Sequence, residues 1–289
     1  MIKAIFVVLF FSSFSYAYEK LPILNIRYDD NGLPIVDATI SNRYHTLMLD
    51  TGSSKGLHLY SYEIEKLLSE SDLKSMKKQA NIKLGDLSGR TFTVSRWMIS
   101  ELLISNILFK NIELVNLIPW GLSLGDTRKD PESEVIGLGA FKEQMVLLDF
   151  KDNKLQILTN QHYDITSWYS YHFNLTPSGI SLRAEINEIP LNIILDTAAT
   201  HSIIFYNRIP DGTKFRSCKL IDKTASNLDC NTVSVDLNDS KRDKKSIISI
   251  VINQNMPKDI DFDGLLGMDF LRGHKVILDM PNEKLYLSR

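Results

Sequence analysis

Two apolar runs that each end in Asp-Thr constrain this chain more than any other feature. The first reads Leu47-Met48-Leu49-Asp50-Thr51-Gly52-Ser53-Ser54, the second Ile193-Ile194-Leu195-Asp196-Thr197-Ala198-Ala199-Thr200. A carboxylate at the end of a buried strand is costly unless it is hydrogen-bonded or functional. One such carboxylate in each half of the chain implies two groups meant to meet.

The halves match beyond those tripeptides. At an offset of 196 − 50 = 146, Val36-Asp37-Ala38-Thr39-Ile40 falls on Leu182-Arg183-Ala184-Glu185-Ile186 without a gap up to the Asp. Each copy alternates apolar and polar, breaks at a turn (Ser41-Asn42-Arg43; Asn187-Glu188-Ile189-Pro190) and resumes as an apolar run. That is a β-hairpin whose second strand delivers the Asp, repeated. Leu57-His58-Leu59 then falls on Ile203-Ile204-Phe205, another strand.

At an offset of 267 − 137 = 130, Val135-Ile136-Gly137-Leu138 falls on Leu265-Leu266-Gly267-Met268. The segments around Asp149 and Lys154 fall on those around Asp279 and Lys284 at the same offset. The first copy is therefore the longer between its Asp and its Gly. Leu67, Leu68, Leu73 and Met76 in that extra stretch predict an amphipathic helix, or two short ones, over 61–79. Strands are expected at 91–94, 112–115, 233–235 and 247–251. A boundary falls in 159–178, which ends in Pro177-Ser178-Gly179.

An apolar fraction of 44% and a formal net charge of −2 describe an ordinary globule. Neither favours nucleic acid or a membrane surface as a partner, and Lys241-Arg242-Asp243-Lys244-Lys245 reads as a solvated turn. Lys3, the apolar run 4–14 and Ser15-Tyr16-Ala17 make residues 1–17 a signal peptide, with the mature chain starting near Tyr18. An uncleaved anchor is the alternative. Cys218 and Cys230 suit a disulfide closing a small loop, or two reduced thiols. The six His residues lack metal-site spacing and read as surface or core filler. Asp149 and Asp279 read as structural turn residues. Asn174-Leu175-Thr176 and Asn238-Asp239-Ser240 fit a glycosylation pattern that matters only in a eukaryotic secretory pathway.

With Asp50-Thr51-Gly52-Ser53-Ser54, Asp196-Thr197-Ala198, Val135-Ile136-Gly137 and Leu265-Leu266-Gly267 in tandem order, the chain resembles the aspartic peptidases. The resemblance is to their bilobal, pepsin-like arrangement of two retropepsin-like β-barrel lobes. It covers essentially the whole mature chain and implies an all-β fold with minor helices, an N-terminal lobe over 18–160 and a C-terminal lobe over 161–289. It implies an exported hydrolase, periplasmic or secreted, monomeric, needing neither metal nor cofactor. The partner implied is an extended peptide or protein substrate, with no stable membrane insertion once the leader is removed. Two carboxyls about 3 Å apart share one proton, so Asp50 and Asp196 can activate a water between them, acid to mildly acidic pH being the default.

Supporting roles follow from the same resemblance. Thr51 and Thr197 bond the backbone across the lobes. Gly52 lets its N–H approach the carboxylate, and Ala198 departs from that pattern. Ser53 can hydrogen-bond Asp50 and hold it ionised, which Ala199 cannot do, so Asp50 is the expected anion. A flap is expected over 82–94, with Leu87, Ser88 and Gly89 at its tip. Trp97 beyond it either covers the cleft or packs in the core. The rival reading, motivated by Ala198, is a peptide-binding or inhibitor protein on the same scaffold, catalytically weak or inactive.

Overall fold

The computed structural model describes residues 23–69, 76–85, 91–118, 133–158, 163–220, 228–241, 243–253 and 260–289. The leader and the flap tip at 86–90 lie outside them.

The first half runs β1 (Ile23–Tyr28), β2 (Pro34–Ile40), β3 (Arg43–Asp50), β4 (Leu57–Leu59), α1 (Ser61–Ser69), β5 (Met76–Gly85), β6 (Thr91–Ile104), β7 (Ile107–Asn116), β8 (Glu134–Gly137), β9 (Met145–Asp149) and β10 (Lys154–Leu158). The second half runs β11 (Tyr169–Thr176), β12 (Gly179–Ile186), β13 (Ile189–Leu195), β14 (Ile203–Phe205), β15 (Arg216–Leu220), β16 (Leu228–Asn238), β17 (Lys244–Ile252), β18 (Gly264–Leu266), α2 (Met268–Leu271), β19 (Lys275–Asp279) and β20 (Lys284–Leu287). Both halves are β lobes of one plan, and the fold is all-β and bilobal.

The duplicated hairpins form as their alternation dictates. β2 pairs β3 and β12 pairs β13, each through a two-residue turn. Ser41 and Asn42 have φ of 48° and 61°, and Asn187 and Glu188 have 51° and 67°. Positive φ at both central residues matches the twist that a tight hairpin requires. β3 then runs parallel to β8, while β4 lies antiparallel on the other side of β8. β13, β18 and β14 repeat that arrangement. Each Asp thus leaves its strand beside the apolar-apolar-Gly strand of its own lobe.

The helix expected over 61–79 is corrected at its C-terminal end. Helix α1 is described over Ser61–Ser69, and Met76 to Gln79 belong to β5, paired with Arg96 to Ile99 of β6. Pairing with a long neighbouring strand overrides a local helical spacing.

The lobes share one sheet. Its order is β1, β10, β9, β19, β20, β11, with β9 and β19 antiparallel at the centre. One hydrophobic core cluster runs through both halves, from Leu47, Leu49 and Ile136 to Ile193, Leu195 and Leu266. Lys275 on β19 joins the lobes by charge, with Nζ 2.7 Å from both Asp149 and Asp152. Cys218 and Cys230, directly opposite on β15 and β16, form a disulfide. Among the described residues no helix is long and apolar enough to cross a membrane.

Candidate active site

Asp50 is the last residue of β3, and Asp196 follows β13 directly. The loops after them meet at the interface of the lobes. A Cβ placed on Gly52 would lie 2.9 Å from Asp196 Cγ, 3.0 Å from Asp196 Oδ1 and 3.1 Å from Asp50 Oδ1. Both carboxyls therefore converge on a single point beside Gly52, and the site has room there only for a hydrogen. Each carboxyl accepts one equivalent backbone bond at 2.8 Å, from Gly52 N–H to Asp50 Oδ1 and from Ala198 N–H to Asp196 Oδ1.

The threonines lace the two loops together. Thr51 Oγ1 donates to the Leu195 carbonyl at 2.8 Å and accepts the Thr197 N–H at 3.0 Å. Reciprocally, Thr197 Oγ1 donates to the Leu49 carbonyl at 2.6 Å and accepts the Thr51 N–H at 3.0 Å. Both threonines are buried, so all four bonds are shielded from water.

The electrostatics follow from burial. Desolvation raises both carboxyls above the ordinary carboxylate range, Asp196 to about 6. Asp50 is raised well above that range by its own burial first, and then by the negative charge of Asp196 that it faces. Its Oδ2 takes no hydrogen bond from a protein donor, and a buried carboxyl oxygen so placed is stable when it carries the proton. Burial and the facing charge thus raise Asp50 further than Asp196, the opposite order to the one the sequence suggests.

That reversal has a local cause. The Ser53 hydroxyl does not reach for Asp50: its Oγ sits 2.8 Å from His58 Nε2 and accepts the Lys55 N–H at 3.2 Å. Trp97 takes the second of its two expected places. It is 7% exposed and packed in the main core cluster from β6. Leu87, Ser88 and Gly89 lie outside the described residues; the hairpin that would carry them is β5 and β6. Ala198 adopts no positive φ, and its methyl packs against the first lobe's Ile35, Met48 and Val135 cluster. The departure at that position brings no backbone strain.

Sequence alone misses two neighbours of the site. His58 reads there as one more filler histidine, although its repeat partner is the apolar Ile204. Gly179 reads as part of a boundary. It has φ of +103°, and a Cβ there would lie 2.3 Å from the Thr51 carbonyl. Its turn closes on the Asp50 loop, where Ser54 Oγ donates to the Pro177 carbonyl at 3.0 Å.

In sequence, neither a family model nor a curated protein matches the chain. In structure, it is similar to the aspartic proteinase from Irpex lacteus, with a TM-score of 0.54 and 11% identity, over 92% of this chain and 96% of that one. At that identity the likeness shows the fold.

Proposed function

We propose that this chain is an exported aspartic endopeptidase in which Asp50 and Asp196 activate a water against a peptide bond. The observation that carries this reading is the convergence of two buried carboxyls, one from each repeat, on one point beside Gly52. The ionised Asp196 takes a proton from the water as its oxygen attacks the scissile carbonyl carbon. Asp50 gives its proton to the carbonyl oxygen, whose developing charge would otherwise sit in a poorly solvated site. Proton return to the amide nitrogen then releases the amine, and the C–N bond breaks. The substrate is an extended peptide added alongside strands of the cleft, with pockets reading alternate side chains. The disulfide supports an oxidising compartment, and 1–17 supplies the leader that would take the chain there.

The pH dependence follows with a definite sign. As pH falls through about 6, Asp196 gains its proton and the base is lost. As pH rises through the higher value of Asp50, both carboxyls ionise and the acid is lost. The log(kcat/KM) profile of the mature chain on an unstructured protein should be bell-shaped and centred above the acid range. Asp50→Asn and Asp196→Asn should each lower kcat/KM by about a thousandfold or more. Cleavage that survives either substitution would overturn the reading. A wild-type chain that binds a statine-type inhibitor yet cuts nothing from acid to neutral pH would favour the peptide-binding rival.

A further inference from the structure

We propose that His58 is a positioning residue that turns the Ser53 hydroxyl away from Asp50 and so leaves Asp50 as the protonated carboxyl; this rests on reading Asp50 and Asp196 as the catalytic pair. Ser53 Oγ accepts the Lys55 N–H, and with the imidazole in its Nδ1–H tautomer, the one this proposal assigns, the Ser53 proton goes to Nε2 2.8 Å away. The Ser53 backbone N–H faces the Asp50 carboxyl. Its hydroxyl is thus a donor in the same loop, withheld from that carboxyl by His58. Donation to a carboxylate would favour the ionised form, and withholding it favours the protonated one.

The repeat supplies an internal control. The offset of 146 carries Ser53 onto Ala199 and His58 onto Ile204. Ile204 is fully buried, and the second lobe builds the same strand arrangement with an apolar pair at both positions. The scaffold therefore has no need of the polar pair, and burying an imidazole and a hydroxyl costs free energy that Ile and Ala avoid. Both positions differ together, and only beside Asp50.

Burial, and after it the nearby Lys55 charge, hold His58 neutral. Lys55 lies on its own loop. Glu113 on β7 takes Lys55 at 3.2 Å and Arg96 of β6 at 3.4 Å. Glu134 on β8 is engaged by His45 at 2.6 Å and by the Tyr60 N–H at 2.9 Å. Burial, then the Lys55 charge, push the imidazole down to about 4. Below that pH, Nε2 gains a proton and donates to Ser53 Oγ. The hydroxyl proton then turns to another acceptor.

The test is a carboxyl titration of the mature chain, read by NMR with carbon-13 aspartate. His58→Ile, which installs the second lobe's residue, should lower the upper apparent pKa of the pair by about one unit, a tenfold change in proton affinity. Ser53→Ala alone should leave that value in place, and Ser53→Ala/His58→Ile should restore it. An unmoved titration in His58→Ile, or a shift that persists in the double variant, overturns the proposal. A measurement on the wild type stands if the variants fail to fold. Nitrogen-15 shifts at pH 6 should show His58 Nε2 without a proton, and a protonated Nε2 overturns the assignment. Because the titration needs no turnover, a chain that never cleaves removes the catalytic reading while these outcomes still decide the role of His58.

Discussion

At the scale of single residues, the two converging aspartates sit in near-equal backbone settings that differ at a few side chains. Gly52 and Ala198 occupy repeat-related positions, yet only one tolerates a methyl. A Cβ on Gly52 would sit 2.9 Å from Asp196 Cγ, closer than real Cβ contacts, while the Ala198 methyl is absorbed by Ile35, Met48 and Val135. Gly52→Ala should therefore displace the Asp196 carboxyl and lower kcat/KM by about a hundredfold or more. Ala198→Gly should stay within about tenfold and lose on the order of 1 kcal/mol of stability. Steady-state kinetics and thermal melts on both variants check this. The two aspartates were legible from sequence because a carboxylate that closes an apolar strand is too costly to be incidental. The partner of Ser53 was not legible, because a side-chain rotamer and the approach of β4 decide it.

At the scale of elements, the paired hairpins and the threonine lattice do most to fix the geometry. The hairpins could be read directly, since strict alternation and Asn-containing turns leave one register. The end of the helical region could not. Met76 continues an apolar spacing that suits a helix, and only its pairing partner Ile99 reveals a strand. The lattice follows from the family resemblance, and its four bonds hang on two hydroxyls. Thr197→Val keeps shape but leaves the Thr51 N–H and Leu49 carbonyl buried without their partner. It should cost about 2–4 kcal/mol in denaturant unfolding, whereas Thr197→Ser should recover most of that. A larger cost for Thr197→Ser than for Thr197→Val would mean that packing of the threonine methyl, rather than the hydroxyl, carries the effect.

At the scale of the whole molecule, the shared six-stranded sheet and the common core join the lobes, and the asymmetry of that sheet can be probed. Lys275 balances Asp149, whose side chain is 4% exposed, across the central β9 and β19 pair. Lys275→Met should strand that carboxylate and cost about 1–3 kcal/mol, lowering the denaturant midpoint with little change in slope. The bilobal plan was legible because duplication leaves matching patterns along the chain. The order of the shared sheet was not, since no local pattern records which strands of different lobes become neighbours. A peptide has two ends, and a cleft of perfect twofold symmetry would accept it in either polarity. Here the repeat matches a glycine with an alanine, and a serine-histidine pair with alanine and isoleucine. Those mismatches remove the equivalence of the two orientations, so a peptide bound as proposed would have one reading direction, set where the halves of the duplication have drifted apart.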